Sequence, residues 1–490
     1  MKRRFVAAIC LIALPCVALI GQTISFNDYF VDKTLRVDYF HIGDAKSEEV
    51  TIDRLLVEGP WAGSTTHLLD PFNLGRYAIK IYDVASGTLI FSHGFESYFG
   101  EYRTTAPAMN GVKRTYQETA LLPLPKKPVR FVFQVRDRAN QLHTSFEQII
   151  DPDSTGVLRE GLTPGVKTID VVKNGDPHKK LDLVILAEGY TEAQEPKFES
   201  DLHRYADILF HQPPFDTLQS FFNVYGVFKA SADSNCDEPE KGIFRNTVLN
   251  SSFYALNLDR YLLTEDNRTM HDLAAHVPYD KILIMVNHTR YGGGGIYNLY
   301  CIFTSDNQRS PMVFVHEFGH AFAGLADEYY NADVAYNDFY PAGIEPLEPN
   351  ITALLDPAHL KWKRLVSPGA PLPTPWQKDL YDSLTLEFPG LFRAMNQRIA
   401  DMKKEDASDA DIQKVREEFR STMQNNRKQI DAIFEDSPYK GKVGAFEGAG
   451  YTSKGLYRPM LECLMFSRSN GKYCDVCADA IARVIRFYGE

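Results

Sequence analysis

At residues 316–320 the chain reads His-Glu-Phe-Gly-His. Two histidines four apart can hold one ion only if the backbone between them is helical, because 3.6 residues per turn bring i and i+4 onto one face. On a strand the same side chains would stand about 13 Å apart. The motif therefore demands a helix at this point. Val313, Phe314 and Val315 before it supply an apolar side for burial, and Gly324 after it supplies a left-handed stop. Glu317 follows the first histidine, beside an ion rather than on it, where a carboxylate can accept a proton from water. The pattern predicts one zinc ion, which in catalytic sites takes three protein ligands and keeps one position open. His316 and His320 are two of them. Once the chain reverses at Gly324, either Asp327 or Glu328 can supply the third.

A chain of 490 residues has room for two or three domains at about 150 residues each. With 44% apolar and 24% charged residues it has a globular composition. A net charge of −11 without a basic block excludes nucleic acid as a partner. Residues 1–4 are basic at three positions, residues 5–20 are apolar, and Gly21-Gln22 leads into polar sequence. Residues 1–22 thus read as a signal peptide cleaved near Gly21-Gln22, which predicts a secreted, periplasmic or cell-surface protein. No later run reaches the roughly 18 apolar residues of a membrane span, so none is expected in the mature chain. Cys10 and Cys16 fall within the signal segment, leaving Cys236, Cys301, Cys463, Cys474 and Cys477. Cys474-x-x-Cys477 is half of a zinc ribbon, but there is no second such pair. In an oxidising compartment the reading is a local disulfide among Cys463, Cys474 and Cys477.

Residues 23–150 alternate apolar and polar positions in short runs, as in Leu35-Arg-Val-Asp-Tyr and Tyr77-Ala-Ile-Lys-Ile. Period two with intervening turns predicts an all-β sandwich. Residues 151–176, rich in Gly, Pro and Asp, read as a linker. From 177 to 490 the pattern is α/β. Apolar runs at 181–187, 222–228 and 281–286 suit buried parallel strands, and helical segments lie between them, at 192–210 and in two pieces over 251–277. Residues 291–298 carry four successive glycines without a phosphate-loop ending, which points to close approach of backbone to a neighbour or ligand. Residues 299–303 read as an edge strand. Residues 389–435 form a helical-hairpin insertion with an apolar stripe on each arm.

The stretch HEFGH…ADEY resembles the immunoglobulin A peptidase family of bacterial zinc peptidases, which is metzincin-like. Residues 184–191, 291–298, 447–451 and 457–459 are also similar to that family, as are Trp61-Ala-Gly-Ser, Asp70-Pro-Phe-Asn and residues 97–102 before the linker. The resemblance spans nearly the whole mature chain; the hairpin stands outside it. It implies an N-terminal β-sandwich followed by a metzincin-like α/β domain with a mainly parallel sheet. It implies zinc on His316, His320 and Asp327, with Glu317 as base. Gly324 and Asp327 each sit one residue further from the second histidine than in a metzincin. It also implies a methionine turn, for which Met465 is the candidate and Met460 the alternative.

Tyr457 or Arg458 can donate to a developing oxyanion, or can be structural. Gly293, Gly294 and Gly295 can meet an extended substrate by strand addition. These readings converge on a zinc endopeptidase acting on a protein or glycoprotein. An exopeptidase, or a surface protein- or glycan-binding protein with a structural zinc site, is the competing class. Neither substrate identity nor oligomeric state is written in these residues.

Overall fold

The computed structural model describes residues 24–159, 161–259, 261–330 and 340–489. The expected signal peptide lies outside the described residues.

Two four-stranded sheets make the N-terminal unit. One is ordered β5-β1-β2-β8, with β1 Phe30–Gly43, β2 Glu48–Val57, β5 Arg114–Pro125 and β8 Val157–Leu158. The other is ordered β4-β3-β6-β7, with β3 Tyr77–Asp83, β4 Leu89–Phe95, β6 Val129–Arg136 and β7 Leu142–Ile150. Alternate residues of the two sheets share one core: Leu35, Val37 and Tyr39 face Tyr77, Ile79, Phe131 and Phe133. Tyr39 and Phe133 meet edge to face at 5.4 Å.

The other face of β1 departs from what simple alternation predicts. Arg36 and Asp38, which period two would send to solvent, are buried. Arg36 pairs with Asp38 at 2.7 Å and with Asp272 of the following domain at 2.6 Å, and Asn267 of that domain donates to Thr119. The N-terminal unit is therefore docked through a largely buried ion network. Burial alone would raise the Asp38 carboxyl, but Arg36, joined by hydrogen bonds from Thr119 and Arg54, holds the group below its ordinary range. A depressed carboxyl stabilises above its unfolded pKa and loses that contribution as pH falls through its folded value. Asp38→Ala should cost about 2 kcal/mol, because buried Arg36 would lose its two-pronged partner and keep only Glu58 and Asp272. Chemical denaturation at neutral pH measures this, and the difference from wild type should shrink on acidification below about pH 4.

The second unit is built on a six-stranded sheet ordered β13-β14-β12-β10-β11-β9. Its strands are β9 Lys167–Val172, β10 Leu181–Glu188, β11 Phe222–Phe228, β12 Lys281–Val286, β13 Gly293–Ile296 and β14 Tyr300–Thr304. The four inner strands are parallel, and β9 and β13 are antiparallel edges. Both faces of β10 are covered, which is why its sequence is almost continuously apolar. Leu183 and Ile185 face the helices Glu195–Phe210 and Ser310–Ala323, whereas Val184 and Leu186 face the helix Asn267–Ala274 and aromatic residues Tyr98, Phe99 and Tyr102 of the N-terminal unit.

Some expectations change. Residues 151–176, read as a linker, contain β8 and β9, each paired into a different sheet. The run read as an edge strand is β14, an inner strand buried throughout, and the glycine-rich β13 is the edge. Among the described residues of 251–277 only Asn267–Ala274 is α-helical; the earlier piece is a short 3-10 turn, where Tyr254, Leu256 and Asn257 take positive φ that a helix does not allow. The hairpin arms are Lys378–Lys404 and Asp409–Glu435, so the first begins ahead of residue 389. Their apolar stripes meet, with Ile399 against Ile412 and Val415. Tyr381 and Phe434 root the pair in the core of the second unit.

Candidate active site

The helix Ser310–Ala323 starts with Pro311 in its first turn and ends at Gly324, which is left-handed at φ 59° and ψ 36°. Phe314, Phe318 and Phe322 pack into the core beneath it. Val313, His316, Glu317, His320 and Gly324, at spacings of three and four, line a cleft of about 1020 Å³. The N-terminal unit supplies part of the opposite wall, including Arg76, Arg103 and Arg136.

The ring of His316 donates from Nδ1 to the carbonyl of Leu464 at 3.1 Å, and that of His320 donates from Nδ1 to the carbonyl of Leu325 at 2.6 Å. A carbonyl only accepts, so each Nδ1 carries the hydrogen and each Nε2 presents a lone pair. The two Nε2 atoms are 3.2 Å apart. Asp327 Oδ1 stands 3.1 Å from one and 3.3 Å from the other. Three lone pairs thus converge, and buried Oδ1 has no hydrogen-bond donor. At metal–ligand distances of about 2.0–2.1 Å, two ligands at a tetrahedral angle stand about 3.4 Å apart, so this triangle fits one small cation. The histidines are 18% and 17% exposed and Asp327 is 5% exposed, so the triangle opens to the cleft on the histidine side. Burial disfavours the His320 imidazolium, yet Asp327 overrides it and pushes the group up to about 9. Without a cation, a proton takes its place among these ligands.

What chooses between the two carboxylates is the path after Gly324. Asn350 mimics a backbone partner: its Oδ1 accepts from the N–H of Ala326 at 2.8 Å and its Nδ2 donates to the carbonyl of Ala326 at 2.9 Å. The N–H of Gly450 donates to the carbonyl of Asp327, and that of Tyr451 to the carbonyl of Tyr329. The two side chains lie on opposite sides of this run, Asp327 by the histidines and Glu328 by Cys477 in the interior. The N–H of Glu328 donates to the carbonyl of Met465 at 2.7 Å. The Tyr451 hydroxyl donates to Asp327 Oδ2. Sequence reading missed Asn350 altogether. It missed Tyr451 as a site residue, although Tyr451 closes one of the segments that carry the family resemblance.

Met465 is fully buried, and its neighbour Leu464 carries the carbonyl that holds His316. Met460 is only partly buried at the edge of the core. Tyr457 and Arg458 do not line the cleft. Arg458 is wholly buried between the rings of Trp376 and Phe466, and donates to the carbonyl of Gly448 at 2.7 Å. Gly293, Gly294 and Gly295 do line the cleft, and β13 runs flush against the helix. A Cβ on Gly295 would sit 2.1 Å from the carbonyl oxygen of Glu317 and 3.1 Å from the Cβ of His320. Gly295→Ala should therefore push the helix off its seat, and kcat/KM should fall about a hundredfold, the usual cost of misplacing reacting groups by about 1 Å. Peptide cleavage assays, with circular dichroism to show that the fold persists, check this.

A helix that offers two histidines and an adjacent glutamate to a cleft, with a returning carboxylate to complete a three-ligand set, is the arrangement of a metallopeptidase. The model of the IgA Peptidase M64 family matches residues 169–485, and that of the Peptidase M64 N-terminus matches residues 25–147. The chain belongs to the IgA peptidase M64 family of metallopeptidases and hydrolyses peptide bonds. No curated protein matches it. Among the described residues, no helix is long and apolar enough to cross a membrane.

Proposed function

We propose that this protein is an exported, zinc-dependent endopeptidase with a metzincin-like catalytic domain. His316, His320 and Asp327 hold the ion, and Glu317 is the general base. The observation that carries the reading is the convergence of two bare Nε2 atoms and an unpartnered Oδ1 within 3.1–3.3 Å, next to a glutamate in an open cleft. Zinc bound there would acidify a water toward pKa about 7 and polarise the scissile carbonyl.

The chain's own residues do the rest. Glu317 removes the proton from the water as it adds to the carbonyl carbon and returns it to the departing amine nitrogen. Tyr451 fixes Asp327 through Oδ2, leaving Oδ1 aimed between the histidines. The backbone turn at Leu464 and Met465 holds His316 from below, which suits the role of a methionine turn. As the outer strand of the sheet, β13 offers the glycine backbone that follows Gly293, whose own carbonyl already accepts from the N–H of Leu262, to an extended protein or glycoprotein substrate. The basic, apolar and small-residue order of residues 1–22 supports export.

The test is digestion of long unstructured polypeptides by the purified protein. Internal cuts, suppressed by a chelator and restored by zinc, are expected. Cleavage that survives complete metal removal would sink the zinc mechanism, and products trimmed only from their ends would sink the endopeptidase reading.

A further inference from the structure

Cys463, Cys474 and Cys477 were expected to include a disulfide. In the structure all three are free and buried, and they converge on Glu328. Sγ of Cys463 lies 3.7 Å from Sγ of Cys477, far beyond the roughly 2.05 Å of a disulfide. Oε1 of Glu328 lies 3.2 Å from Sγ of Cys477 and 3.8 Å from Sγ of Cys474. All four ligand atoms lie within 4.8 Å of one another. For zinc, bonds of about 2.3 Å to sulfur and 2.0–2.2 Å to oxygen give tetrahedral edges of about 3.8 Å between sulfurs and about 3.5 Å between sulfur and oxygen. The cluster has those dimensions.

Its surroundings point to a cation as well. Glu328 is 0% exposed, its Oε2 has no hydrogen-bond partner, its Oε1 accepts from Asn350 at 3.1 Å, and no lysine or arginine of the described residues lies within ion-pairing distance, Arg458 acting on it only from further off. A carboxylate this deep is costly unless something positive offsets it. The N–H groups of Met465 and Cys474 point at Sγ of Cys463, at 3.5 and 3.3 Å, as donors that stabilise a thiolate.

We propose that Cys463, Cys474, Cys477 and Glu328 bind a second, structural divalent ion of the zinc class. Four protein ligands close this site and leave no position for substrate, in contrast to the three-ligand set in the cleft. The half-ribbon Cys474-x-x-Cys477 is completed by nearby Cys463 and by Glu328, which is remote in sequence. The ion ties together the extended run after Gly324, the turn at Cys463 and the start of the C-terminal helix Asp475–Gly489. Because Glu328 adjoins Asp327 and Cys463 adjoins Leu464, it fixes from behind both the third ligand of the cleft and the carbonyl that orients His316.

Cobalt(II) exchange into the full chain tests this independently of activity, because the set in the cleft contains no sulfur. Two cobalt ions per chain and a thiolate-to-cobalt charge-transfer band are expected. In His316→Ala/His320→Ala one ion and the whole band should remain; in Cys463→Ser/Cys477→Ser the band should vanish. Should the serine variant not fold, non-reducing mass spectrometry of the unaltered chain decides. Three thiols that alkylate only after chelation support the site. A Cys463–Cys477 disulfide, thiols that alkylate equally with and without chelator, or a cobalt protein lacking the thiolate band would overturn it.

Discussion

Glu317→Gln should lower kcat about a thousandfold, the middle of the range that a positioned general base contributes, while leaving fold and metal content unchanged. The substitution keeps shape and hydrogen-bonding capacity and removes only the ability to take a proton. Glu317 is one residue past His316 on a helix that Phe314, Phe318 and Phe322 anchor, so nothing in the core depends on its charge. A drop of that size corresponds to about 4 kcal/mol of lost transition-state stabilisation. KM should change little, since no ground-state contact is lost. Equal activity in the variant would assign proton transfer elsewhere; loss of metal together with activity would make Glu317 a ligand instead.

Asp327→Ala should have a larger and different effect, because it removes a proposed ligand. Outer-shell partners of metal sites are worth about 10–100-fold in affinity, and a ligand is worth at least the upper figure. Metal content after dialysis against a weak chelator should fall to background, and cleavage with it. Added zinc should rescue the variant only in part. The Tyr451 hydroxyl would also lose its hydrogen bond to Oδ2. Tyr451→Phe serves as the control: it removes the clamp and not the ligand, so metal should be retained with weaker affinity. Full metal occupancy in Asp327→Ala would exclude Asp327 from the site.

The helix and its stop were legible because they depend on local chemistry. The spacing of His316 and His320 requires helical backbone, and Gly324 sits at a φ that other residues rarely adopt. The two candidate carboxylates were also legible, but the choice between them was not. That choice depends on Asn350 and on the segment around Tyr451, which clamp the returning chain from more than twenty residues away. The strands of the N-terminal unit follow from alternation. The burial of Arg36 and Asp38 does not, because alternation describes one sheet and says nothing of a second domain docked on its outer face. The edge strand was misassigned for a related reason. Four glycines look weak as a strand, yet β13 needs Gly293 and Gly295 so that its backbone can lie against the active-site helix. Cys463, Cys474 and Cys477 were seen as a group, but Glu328, 135 positions before Cys463, was visible only in three dimensions.

Anomalous diffraction at the zinc edge, from crystals of the mature protein, tests the central claim most directly. It should show a peak in the cleft within about 2.0–2.2 Å of His316 Nε2, His320 Nε2 and Asp327 Oδ1, with the fourth position left to solvent or substrate. A fourth protein ligand at that peak, or a fully ordered cleft without zinc there after zinc loading, would contradict it.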